Sequence, residues 1–181
     1  MKISIRKHCL LGWSKSSGYK AGFTLVELMI VCGVIAIVAG VGGLALNSQM
    51  PKYKLSGDAR TLASNLMLAR MKATSNSVQY AIQFDLDAPQ GYNLQRGNAS
   101  NGTPLDGWTN ESYRREMSSG VNIVSVEDDA TTHSTGSAAR IVYNTNGSAS
   151  TGEVVLKSGA GQYRITLTPT TGRVKTTKES S

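Results

Sequence analysis

Thiols, imidazoles and, at one end, acids are all scarce in this chain. Its 181 residues contain two cysteines, Cys9 in a basic N-terminal segment and Cys32 inside an apolar run, so no thiol occurs from residue 33 onward. That absence excludes a disulfide framework, a thiolate metal site and a cysteine nucleophile from the whole of that region. The two histidines, His8 and His133, are too few for a His-rich metal cluster. No Gly-Lys-Ser/Thr loop is present to cradle phosphates. Acid is missing from residues 1–22, which carry Lys2, Arg6, Lys7, Lys15 and Lys20. Setting those five cations aside leaves fourteen bases against twelve acids, and the overall charge of +7 shrinks to +2. A globally basic nucleic-acid binder is therefore excluded beyond residue 22; only a local patch is left for that role. The length suits one domain and an anchor.

The anchor is easily read. Residues 28–46 are 19 consecutive positions without a charge, and Phe23–Leu25–Val26 extend the apolar stretch toward the N-terminus. At about 1.5 Å rise per residue this length crosses a bilayer core as a helix. The preceding cations place the N-terminus on the cytoplasmic side. A secretory signal would put its apolar segment before a small-residue cut site. Here the apolar segment follows the small pair Ala21–Gly22, so cleavage there leaves the helix in place.

Glu27 breaks the pattern, because a carboxylate costs about 2.5–3.5 kcal/mol at the centre of a membrane helix and less near the interface. No Lys or Arg lies between Phe23 and Pro51. A partner at that depth is therefore a new α-amino group at Phe23, supplied by the same helix or by a neighbouring copy. The bland reading is a carboxylate that snorkels to the headgroups.

Residues 22–31, Gly-Phe-Thr-Leu-Val-Glu-Leu-Met-Ile-Val, resemble the class III signal of type IV pilins and type II secretion pseudopilins. The resemblance implies cleavage by a prepilin peptidase after Gly22 and N-methylation of Phe23. It also implies that Glu27 pairs with the amine of a neighbouring subunit. The leader of 22 residues is longer than is common for pilins. Subunits that bring a buried carboxylate to its countercharge regain a charge-assisted hydrogen bond, which favours entry in register.

Past the anchor, Pro51 is expected to kink or loosen the helix, and Gly40, Gly42 and Gly43 weaken it. Leu55, Ala59, Leu62, Leu66, Ala69 and Ala73 then recur at spacings of three and four, an amphipathic helix ending near Ser75. Arg60, Arg70 and Lys72 fall mainly off that stripe and read as solvated. From Val78 the period becomes two, with Val78, Tyr80, Ile82, Phe84 and Leu86 on one face. A turn at 87–91 leads to a hairpin partner carrying Tyr92 and Leu94. Residues 97–120 read as a polar loop anchored by Trp108 and Tyr113. Strands are expected around 121–126, 140–143, 153–156 and 162–168, with a last one after Gly172.

The expected fold class is α+β: a long N-terminal helix, half transmembrane and half amphipathic, packed on a C-terminal antiparallel β-sheet or sandwich domain of six to eight strands. Its segments are a basic leader at 1–22, an assembly half of the helix at 23–46, an amphipathic half at 47–76 and a β-rich periplasmic domain at 77–181. The helix pattern at 59–70 is similar to that of the GspH/FimT group of minor pilins and pseudopilins. That group often ends in a Gly-Arg-x-Arg strand, where Gly172-Arg173-Val174-Lys175 stands here with Lys for the second Arg.

The resemblance implies a non-catalytic subunit without cofactor. Its partners would be the prepilin peptidase, other pilins or pseudopilins, and the inner membrane before the pilus or pseudopilus. The alternative is a pilus-borne DNA receptor. Arg173 and Lys175 share one side of a strand, with Arg164 and Lys178 nearby, and a few such phosphate contacts give weak, salt-dependent binding. Against it stand a solvated strand end, the lost bidentate geometry of Lys, and no aromatic interleaving for base stacking. Asp85 with Asp87 and the run Glu127-Asp128-Asp129 read as solvated acids, the latter without an EF-hand spacing. His133 reads as a surface histidine.

Overall fold

The computed structural model describes residues 22–98, 107–112, 114–129, 131–136 and 139–179, and of residues 41–48 the helical backbone alone. Residues 1–21 of the expected leader at 1–22, and Tyr113, lie outside these residues. The chain divides into two units, Met1–Gly43 and Leu44–Ser181. The first contributes the opening turns of helix α1 (Leu25–Asn76); the second holds the rest of α1 and every strand.

Helix α1 contains Pro51 within its span and continues past it. The helix ends at Asn76, one residue beyond the sequence expectation, and Ser77 follows with φ at 53°. The expected stripe is the buried face: Leu55, Ala59, Leu62, Leu66, Ala69 and Ala73 are all buried, and Ala63 joins them. Small residues at four of these seven positions let the helix lie close to the strands beneath it.

Ten strands follow among the described residues: β1 (Tyr80–Asp85), β2 (Gly91–Arg96), β3 (Thr109–Asn110), β4 (Arg115–Glu116), β5 (Val121–Asp128), β6 (Thr131–His133), β7 (Arg140–Tyr143), β8 (Gly152–Ser158), β9 (Gly161–Thr168) and β10 (Arg173–Glu179). They form two antiparallel sheets. One runs in the order β3-β2-β1-β7, with β4 also on β2; the other runs β10-β9-β8-β5-β6. Alternation puts Tyr80, Ile82 and Phe84 of β1 and Tyr92 and Leu94 of β2 into the interior. From the second sheet come Val121, Ile123, Val126, Val154, Leu156, Ile165 and Leu167, in one core with the helix stripe.

The loop expected at 97–120 contains the two-residue strands β3 and β4, which pair with β2. In β5 the register slips between Ile123 and Ser125. That bulge turns Val124 outward and lets Ile123 and Val126, three apart, both face the core.

Candidate functional site

At the start of α1, Thr24 caps the helix. Its hydroxyl oxygen accepts the backbone N–H of Glu27 at 3.2 Å, and its carbonyl accepts the N–H of Leu28 at 3.2 Å. Thr24 and Glu27 thus hold the first and last positions of a Ser/Thr-x-x-Glu capping pattern, and a carboxylate in the first turn also suits the helix dipole. This local use of Glu27 went unread in the sequence. It fixes the helix start just after Gly22 and Phe23, the pair that the resemblance assigns to processing. Behind it, every described side chain from Phe23 to Val38 is exposed, Phe23 at 82% and Ile37 at 70% among them. Gly22, Phe23 and Glu27 lie together within this one exposed, apolar beginning. Among the described residues no helix is long and apolar enough to cross a membrane. The expected span, 28–46, runs into the positions whose side chains are not described.

Arg173 and Lys175 stand on β10, the edge strand of the second sheet, opposite Thr168 and Thr166 of β9. Both are exposed, and Val174 between them is buried. Arg164 does not enlarge this basic pair. It is bonded to Glu153 and to Glu179, so its charge is answered within the sheet. The hydrogen bond to Glu179 raises the Arg164 pKa, and the same bond lowers that of Glu179. Gly172 precedes this strand at a φ of +59°, and a Cβ there would meet the carbonyl oxygen of Gly147 at 2.4 Å. Only glycine fits that approach.

The second half of α1 is tied to the β domain by polar contacts that the stripe alone does not reveal. Asp58 accepts the N–H of Ser118 at 2.9 Å and its hydroxyl at 3.0 Å. Asn65 donates to the Tyr92 hydroxyl at 2.8 Å. Arg70 is exposed, as expected, and also donates from Nε to the carbonyl of Gly147 at 3.2 Å. Lys72, expected to be solvated, is half-buried, pairs with Glu111 and lies 5.7 Å from the Tyr80 ring centre. The bond to Glu111 raises the Lys72 pKa. Burial pushes Glu111 up, but hydrogen bonds from Lys72 and Tyr80 outweigh it, and the net direction is down. Arg60 is exposed, as expected.

The acids at the turns have structural partners. Asp85 pairs with Arg114 at 3.0 Å, and Asp87 accepts the N–H of Gly136 at 3.1 Å. Asp128 accepts the Arg140 N–H and lies 2.8 Å from His133 Nε2, while Asp129 accepts the Thr151 N–H. Half-buried His133 is thus held at a hairpin end rather than standing free. Among the described residues no group of three His, Cys, Asp or Glu is placed to hold a metal ion.

Two sequence families match. The one described as Type II transport protein GspH covers residues 58–171, and the Prokaryotic N-terminal methylation motif covers residues 18–43. The chain therefore belongs to the GspH family. It is a non-catalytic minor pilin or pseudopilin, a structural subunit of a type IV pilus or a type II secretion pseudopilus. Its methylation motif marks it for prepilin-peptidase processing and for assembly with other pilins.

No individual curated protein matches. Among solved structures, the fold is similar to the minor pseudopilin EpsH from the type 2 secretion system of Vibrio cholerae. One EpsH structure matches with a TM-score of 0.53 at 13% identity, over 69% of this chain and 97% of that one. A second EpsH structure gives 0.55 at 12%, over 71% and 96%. The type IV minor pilin FimU of Pseudomonas aeruginosa gives 0.47 at 15% identity, over 68% of this chain and 88% of FimU. None of these supports the nucleic-acid alternative.

Proposed function

We propose that the chain enters the inner membrane with its N-terminus in the cytoplasm and its β domain in the periplasm. It is then cut behind Gly22 and N-methylated at Phe23. The apolar helix from residue 23 to 46 anchors it before assembly and packs among other subunits afterwards. Residues 47–76 and 77–181 form the part that stays in water. In the assembly, the Glu27 carboxylate receives the Phe23 amine of an adjoining subunit. One observation carries this reading: a single carboxylate sits in the first turn of a helix whose next residues, 28–51, carry no charge and whose apolar side chains from Leu25 to Val38 are exposed.

The physical logic is that of an unpaired charge. A Glu27 left in lipid without a cation costs free energy, and docking beside a free amine removes that cost. Replacing Glu27 by Ala removes the acceptor without disturbing the buried stripe at 55–73. Loss of a charge-assisted bond corresponds to roughly tenfold or greater loss of incorporation into the pilus or pseudopilus. The test compares wild type and Glu27→Ala for recovery in sheared or pulled-down assemblies at equal membrane levels. Equal recovery would overturn the pairing.

A further inference from the structure

The outer face of the first sheet carries a row of carboxamides that the helix, the core and the assembly reading do not use. In register, Arg140 of β7 lies opposite Gln83 of β1, and Gln83 lies opposite Asn93 of β2; Gln95 of β2 lies opposite Asn110 of β3. Their side chains are joined. Asn110 Oδ1 accepts from Asn93 at 2.5 Å and from Gln95 at 2.9 Å; Gln95 also donates to Gln83 and accepts from Arg140 Nε at 3.1 Å. The Arg140 guanidinium lies 5.1 Å from the centre of the half-buried Trp108 ring. Beside this row is a groove of about 280 Å³ lined by Gln83, Asp85, Asn93, Asn110, Ser112 and Arg114.

We propose that this groove binds a neutral glycan chain. Three features narrow the ligand class. The two charged groups in the lining, Asp85 and Arg114, are paired at 3.0 Å, so an anionic ligand finds no uncommitted cation there. An extended peptide seeks an open sheet edge, but the β2 side that borders the groove is already paired with β3 and β4. Carboxamides present a donor and an acceptor at one tip, which matches neighbouring sugar hydroxyls that both give and take hydrogen bonds. The hydrogen bonds among Asn93, Gln95 and Asn110 hold these tips in place before a ligand arrives, which cuts the cost of ordering them. A subunit of a surface assembly that carried such a groove would contact polysaccharide directly, independently of Glu27.

The test uses the full-length chain in micelles of a detergent without a sugar headgroup. Cellohexaose, chitohexaose and an isomaltohexaose are titrated by calorimetry, with a heparin hexasaccharide as the charged comparison. At least one neutral hexasaccharide binds to wild type. Asn110→Ala and Asn93→Ala each weaken it about tenfold, as expected for one lost hydrogen bond left with an unpaired partner. Lys175→Ala, on the other sheet, leaves it unchanged. Both carboxamide variants keep a cooperative melting transition above the titration temperature, although Asn110→Ala, which loses the acceptor of two internal hydrogen bonds, melts lower than wild type. Binding that survives Asn110→Ala and Asn93→Ala overturns the proposal, as does binding of the heparin fragment alone or of none of the four.

Discussion

Helix α1 is one element with two environments. In residues 25–38 every described apolar side chain is exposed; in residues 55–73 a stripe of equal regularity is buried, Leu62, Leu66 and Ala69 completely. Composition explains the difference. The first stretch is apolar all round and has no polar face to show to water, so it suits lipid or other helices. The second alternates its stripe with Lys52, Lys54, Arg60 and Ser64, which are exposed, and it finds its partners in its own β domain. On the proposed function, the same helical geometry serves assembly at one end and folding at the other. Substitutions in the two stretches should fail in different assays.

The largest stability effect is expected in the buried stretch. Leu62→Ala leaves a cavity between helix and sheets and should cost about 2–5 kcal/mol, read as a lowered melting temperature of the full-length chain. Val34→Ala, on the exposed stretch, should leave that temperature unchanged; an equal drop for both would erase the distinction. Next comes Gly172→Ala, where a left-handed backbone and the Gly147 carbonyl at 2.4 Å from the added carbon leave no room. Its cost of about 1–3 kcal/mol would appear in the same melts. Asp58→Ala removes both bonds to Ser118 and should cost about 1–2 kcal/mol, with faster amide exchange at 117–119.

The smallest effect is at Lys72→Ala. The Lys72–Glu111 pair is half-exposed and should contribute below about 1 kcal/mol near neutral pH. Its pH dependence has a fixed sign. The Glu111 pKa is lowered on folding, so its contribution is present above the ordinary carboxylate value, about 4.3, and is lost as pH falls through the lower folded value. The Lys72 pKa is raised, so its contribution holds below the ordinary lysine range and fades above it. The difference in melting temperature between wild type and Lys72→Ala should therefore shrink as pH falls below the ordinary carboxylate range and vanish once Glu111 is protonated in the folded state. A difference that persists there would mean that Lys72 acts through its packing on Tyr80 instead.

Much of this molecule follows local rules, and those parts were readable. The three-four spacing from Leu55 to Ala73 marked the buried face, and the two-residue period from Val78 to Leu86 marked β1 and its hairpin. What escaped was non-local. That β1 also pairs with β7, and β5 with β8, depends on chain segments far apart, for which neither period nor turn residues carry a signal. The bulge at Val124 hides within an apparently regular strand. The partners of Arg70 and Lys72 were not legible because the turn carbonyl at Gly147 and the carboxylate of Glu111 come from 77 and 39 residues away. At the N-terminus the reverse holds. The proposed cut behind Gly22, methylation of Phe23 and pairing of Glu27 all rest on one contiguous run of residues, 22–31, that the sequence displays. Only the capping role of Thr24 was overlooked, although its Thr-x-x-Glu spacing was visible.

The comparison between the two helix stretches rests on what happens at the boundary before Phe23. Intact-mass and terminal-peptide mass spectrometry of the protein recovered from membranes of a host with a prepilin peptidase measures it directly. The account predicts a mature chain that begins with N-methylated Phe23 and retains Glu27. A chain that still begins at Met1, or one that starts at any residue other than Phe23, would contradict it.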